Sequence, residues 1–92
     1  MKQKAGKLRY DLIPPLLLQE LARVFTFGAD KYDDDDWIQA VEDDPRAYKD
    51  ATMRHWESYR MGESHDSESH IHHLSHGMTN MGILLYNELK EE

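Results

Sequence analysis

Apolar side chains recur along this chain at helical spacing. Leu17, Leu21 and Val24 stand at i, i+4 and i+7, and Leu18, Ala22 and Phe25 widen the same stripe. Pro14-Pro15 suits the start of that helix, where the first amides lack partners in any case, and the pattern predicts continuation through Gly28 to about Tyr32. A glycine inside a helix costs about 1 kcal/mol relative to alanine, so Gly28 is expected to permit close approach of another backbone or of a ligand. A second helix is predicted from an Asp44-Pro45 cap to about Met61. Its Tyr48, Ala51, His55 and Tyr59 share one side, broadened by Thr52 and Trp56, and Gly62 is a natural stop. After a polar connection from Gly62 to Glu68, a third helix is predicted to start near Ser67 or Ser69 and run almost to the C-terminus. Ile71, Leu74, Met78, Met81 and Leu85 form a heptad-like seam along it. The expected fold class is all-α: a three-helix domain that assembles into a helical oligomer.

Two segments depart from this pattern. Residues 1–13 are basic and predicted irregular, leaving 14–92 as a single helical domain. Lys2 and Lys4 read as a solvated tail, whereas Arg9, Tyr10 and Asp11 lie against Leu12-Ile13-Pro14-Pro15 and read as a docked entry to the first helix. Asp33–Asp36 is a run of four carboxylates. Consecutive acids do not share one face, and the alternating acids, central glycine and terminal glutamate of a calcium loop are missing. A solvated loop is expected, anchored to the core by Trp37 and Ile38.

Composition narrows the function. The chain has 92 residues, no cysteine and a formal charge of −7. A field of that sign disfavours nucleic-acid polymers, but a small anion can still be met by a local cluster of cations and amides. The missing cysteines rule out a disulfide framework and thiolate metal sites. Neither a signal-peptide h-region nor an apolar run near the ~20 residues of a membrane span is present, so no membrane partner is expected. Six histidines would bring the charge close to neutrality below about pH 6, and solubility should fall on mild acidification.

The candidate chemistry lies late in the chain. His73, His76 and Asn80 stand at i, i+3 and i+7, beside the apolar seam. Arg54 and His55 come from the preceding helix, and Glu63, His65, Asp66 and Glu68 from the connection. An antiparallel pairing of the two helices would gather these groups at one end. Ordinary capping and backbone satisfaction is one reading of them. A metal site on His73, His76 and Asp66 is a second, resting on a weak His-x-x-His spacing. The third has Arg54, His55, His73 and His76 donating to phosphate oxygens while Asn80 and aromatic rings meet a base or sugar.

An ordered series of motifs carries a family resemblance. It runs Lys7-Leu-Arg-Tyr-Asp-Leu-Ile-Pro-Pro15, Val24-Phe-Thr-Phe-Gly-Ala-Asp-Lys-Tyr32, Trp37, Arg54-His55, Gly62-Glu63 and His73-Leu74-x-His76-x-x-x-Asn80. From residue 7 to about 86 this resembles the phage domain known as the dATP/dGTP diphosphohydrolase N-terminal family. The resemblance implies an α-helical phage protein that handles purine nucleotides in the infected host's cytoplasm. Related all-α pyrophosphohydrolases of the MazG type are oligomers that hold Mg²⁺ on an ExxE and a later ExxD pair. Here the only ExxD is Glu63-x-x-Asp66, with no ExxE before it. Glu57 stands between Arg54 and Arg60, Glu88-x-x-Glu91 lies at the terminus, and the chain ends where longer relatives continue into an acid-bearing domain.

The chain also resembles the oligomeric nucleotide sponges of the anti-CBASS group. The leading expectation is therefore a dimer or tetramer that sequesters a purine cyclic dinucleotide immune signal without hydrolysing it, with no cofactor, no metal and no catalytic residue. Tyr10, Tyr32 and Trp37 are the stacking candidates, and Arg9 and Lys31 join Arg54, His55, His73 and His76 as phosphate candidates, with Asn80 at the base. The alternative is a Mg²⁺-dependent dATP/dGTP diphosphohydrolase acting through Glu63, Asp66 and Glu68.

Overall fold

Pro15 opens the first helix, α1, which runs Pro15–Lys31 and carries Gly28 within it, as the pattern predicts. A computed structural model describes residues 6–91 of the chain; Lys2 and Lys4 fall outside them. Before α1, Tyr10–Leu12 form one 3-10 turn, and Arg9 pairs with Asp11 at 2.7 Å. Gly28 has open space where a Cβ would project, so no backbone of this chain crowds it.

Four α-helices, not three, make up the described residues. The additional one, α2, spans Asp36–Asp43. The Asp run hid it: Asp35 takes a left-handed conformation with φ 64°, and Asp36 both opens the helix and accepts a hydrogen bond from the Asp33 amide. Asp33, Asp34 and Asp35 are exposed, as a solvated loop requires. Short as it is, α2 buries Val41 completely, and its Trp37 packs against Phe25 of α1 in a tilted arrangement with ring centres 5.3 Å apart.

The third helix, α3, runs Pro45–Arg60, capped by the Asp44 carboxylate, which accepts from the Ala47 amide. Gly62 follows with φ 102°, a left-handed conformation suited to glycine. The last helix, α4, starts at His73, later than the pattern predicts, and ends at Leu89. The delay has a local cause. The Asp66 carboxylate folds the chain into a turn by accepting from the Glu68 and Ser69 amides. His70 then has φ 64°, and the His72 ring nitrogen caps α4 by accepting from the Leu74 amide.

Helix α4 is central and touches α1, α2 and α3. It runs antiparallel to α3: the His72 ring faces Tyr59, whereas the His76 ring faces His55 farther back along α3. The predicted seam is not its buried side. Met81 and Leu85 are 61% and 57% exposed, and the side packed inward carries His73, Ser75, His76, Thr79 and Ile83. Ser75 ties α4 to α1 by donating to Glu20 at 2.8 Å. The apolar core is correspondingly small: Val41, Ile71 and Ile83.

Candidate functional site

The C-terminal half of α1, the length of α2, and the facing sides of α3 and α4 enclose an open cleft of about 1370 Å³. Six of the ten predicted ligand residues line it: Lys31, Tyr32, Trp37, Arg54, His76 and Asn80. Gly28 lines it as well, so its missing side chain widens the cleft. Arg9 and Tyr10 do not; Arg9 is held by Asp11, and Tyr10 is 77% exposed on the 3-10 turn.

Both cleft cations are already paired. Lys31 meets Glu68 at 3.0 Å, which raises its pKa, and its ammonium lies 5.8 Å and 5.7 Å from the Phe27 and Tyr32 ring centres. Arg54 pairs with Asp50 one turn earlier on α3. These pairs are solvent-exposed and individually weak, so a phosphate can displace the carboxylates at small cost. Trp37 is wedged between Phe25 and Tyr86, 5.0 Å from the latter; it belongs to the aromatic wall and is held in place by packing.

His55 and His73 sit behind the cleft in a histidine cluster. The His55 ring stacks flat on His76 at 4.4 Å and 9°, and its Nδ1 lies 2.7 Å from His73 Nδ1. His73 Nε2 is 2.7 Å from Glu63 Oε1. His76 Nε2 meets the Ser69 hydroxyl at 2.7 Å, and the edge of its ring approaches Phe27. Burial, with His76 and His73 alongside, pushes the His55 pKa down to about 4. Burial lowers that of His76 too, against the pull of Asp66. Partial burial pushes the Asp66 carboxyl up, but the hydrogen bonds from Ser69 and the nearby His76 and His55 outweigh it and hold it below the ordinary value. A neutral imidazole stack results, flanked by one well-stabilised carboxylate.

The three acids of the hydrolytic alternative each serve a different partner. Glu63 holds His73, Asp66 holds its own turn, and Glu68 holds Lys31. The set that does place its ligand atoms within 4.8 Å of one another, among the described residues, is His55, Asp66 and His73. Sequence spacing groups His73 with His76; in the fold His55 takes the place beside His73 and Asp66, and His76 Nε2 faces the Ser69 hydroxyl. Phe27, Ser69 and the Ser75–Glu20 tie were missed altogether. Phe27 lies in the Val24–Tyr32 motif, which was a signal for it; the other two carry none.

The family model described as dATP/dGTP diphosphohydrolase, N-terminal, matches residues 1–92. A curated relative named dATP/dGTP diphosphohydrolase, from Salmonella phage PMBT28, is 29% identical over 86 residues, which cover 94% of this chain and 29% of the relative. This chain thus spans less than a third of that relative's length. No solved structure gives a significant match. The chain belongs to the dATP/dGTP diphosphohydrolase N-terminal family.

Proposed function

We propose that this domain binds a purine nucleotide in the cleft between α1 and α4 and holds it without hydrolysing it through acids of its own. One observation carries the reading: aromatic rings, the cations Lys31 and Arg54, and Asn80 converge on a single cleft. Glu63, Asp66 and Glu68, the three acids of the hydrolytic alternative, are meanwhile each engaged with another partner. Phosphates belong at the Lys31, Arg54 and His76 end, where displaceable ion pairs await them. The base belongs against Tyr32 and the Trp37 wall, where the Asp33–Asp36 carboxylates can accept hydrogen bonds from a purine's exocyclic amine.

The cleft, at about 1370 Å³, is larger than the roughly 300–1,000 Å³ usual for small-molecule sites. That favours a ligand with two bases, a purine cyclic dinucleotide, and a role as a sponge for such a signal in the cytoplasm of an infected cell. A second copy of the chain would close the open side and cover the apolar residues that α1 and α4 leave exposed.

The second reading is a Mg²⁺-dependent dATP/dGTP diphosphohydrolase, favoured by the name of the phage relative. One experiment separates the two. Protein incubated with a panel of purine and pyrimidine nucleotides and cyclic dinucleotides, with and without Mg²⁺, is denatured and the ligand recovered. Intact purine ligand, with affinity about ten- to a hundredfold weaker in Arg54→Ala through loss of a charge-assisted bond, supports retention. Stoichiometric release of pyrophosphate from dATP or dGTP in Mg²⁺ establishes the enzyme instead.

A further inference from the structure

Two histidine nitrogens face each other across 2.7 Å behind the cleft, and a carboxylate accompanies them. A carboxylate can only accept, so the hydrogen shared between Glu63 Oε1 and His73 Nε2 at 2.7 Å sits on the ring. In its neutral form His73 then presents the lone pair of Nδ1 toward His55. This carboxylate–histidine pairing is the outer support that metal-binding imidazoles commonly have. Asp66 is oriented just as firmly, since its Oδ2 accepts from two backbone amides of its turn. His73 is almost fully buried, while Glu63 remains exposed beside it.

We propose that His55 Nδ1, His73 Nδ1 and an Asp66 oxygen form a binding site for a first-row divalent metal of the Zn²⁺ type, with Glu63 fixing the orientation of His73. One potential ligand atom from each of the three residues lies within 4.8 Å of the others, and the two Nδ1 atoms are 2.7 Å apart. Tetrahedral Zn²⁺ at its usual bond lengths needs nitrogens about 3.3 Å apart, so the two rings separate by roughly half an ångström as the ion enters. Two imidazoles and one carboxylate suit Zn²⁺, Mn²⁺, Co²⁺ or Fe²⁺; Mg²⁺ and Ca²⁺ prefer all-oxygen shells. Three protein ligands leave at least one coordination position for water or an incoming anion. His76, whose ring stacks on His55 and lines the cleft, stands between the ion and the nucleotide site. The site does not depend on a nucleotide being bound.

The test is titration of chelator-treated protein with Co²⁺ and Zn²⁺, followed by visible absorption and calorimetry. The expected result is one ion per chain, a Co²⁺ spectrum characteristic of nitrogen ligation, and a raised melting temperature, since the ion binds the folded state. Glu63→Gln, at an exposed position, should weaken binding about tenfold or more. His73→Ala and Asp66→Asn should abolish it, and His70→Asn, in an exposed left-handed position that asparagine accepts, should leave it unchanged. Absence of binding in the folded wild-type protein overturns the site, leaving a direct hydrogen bond between His55 and His73. Binding undiminished in Glu63→Gln and His73→Ala overturns it equally.

Discussion

At the scale of single residues, burial has changed how readily the histidines take up a proton. His55 is ordinarily protonated below about pH 6.5, but in the fold its pKa is pushed down to about 4. The groups around it are His73 and His76 on α4, Asp66 on the connecting loop and Arg54 on its own helix. Above the ordinary value the ring is neutral in both the folded and unfolded chain. Between about 6.5 and 4 the unfolded chain takes up a proton that the folded one refuses, so stability falls as pH drops through that window and then levels. His76 acts in the same direction. Urea unfolding in chelator at pH 7 and pH 5 should show a lower midpoint at pH 5, and His55→Gln should shrink the difference; an unchanged difference in the variant would locate the acid sensitivity elsewhere. That His55, His73 and His76 would gather at one place was legible from their spacing on two helices joined by a short connection. That His55 would meet both His73 and His76 was not, because it depends on how α3 and α4 pack and on the folded 61–72 loop that brings Ser69 to His76.

At the scale of elements, proline and glycine punctuation marked the helices well. α1 begins where Pro15 places it, and α3 begins and ends where Asp44-Pro45 and Gly62 place it. The two misses share a cause. α2 and the start of α4 are decided by side chains bonding to nearby backbone, Asp36 to Asp33 and Asp66 to Glu68 and Ser69, and such competition leaves no trace in hydrophobic periodicity. α2 nonetheless supplies, among the described residues, the one apolar side chain that is fully buried, Val41. Val41→Ala should cost about 2 kcal/mol from lost burial and the cavity left behind, read by chemical denaturation. Leu18→Ala on the exposed side of α1 should cost the isolated chain far less. Similar losses from both would mean that α2 is not an anchor of the core.

At the scale of the whole molecule, too little is covered. The accessible surface is 7297 Å², against roughly 5,600 Å² for a monomeric protein of this mass, and the radius of gyration is 15.1 Å against roughly 12 Å. The excess is of the order that one subunit contributes to a large permanent interface. Exposed Leu16 and Leu18 on α1, and Met81 and Leu85 on α4, are the surface such an interface would take. Sedimentation equilibrium at micromolar concentration should give a multiple of the 10.9 kDa chain mass. Glu substitutions at both Met81 and Leu85 should reduce it to the monomer; a monomeric wild-type protein would contradict self-assembly.

The loop between α3 and α4 closes on itself. Asp66 and Ile71 are joined backbone to backbone, His70 bonds back to Asp66, and the His73 amide reaches Ser64. The amides of Asp66, Glu68, Ser69, His70 and Ile71 are therefore occupied within the loop itself, and the floor of the histidine cluster is set during folding, not at encounter. Lys31 and Arg54 line the cleft with their ion pairs facing solvent. For the binding proposed above, residence time would depend on how quickly those two surface ion pairs exchange, on a clock separate from that of the loop beneath.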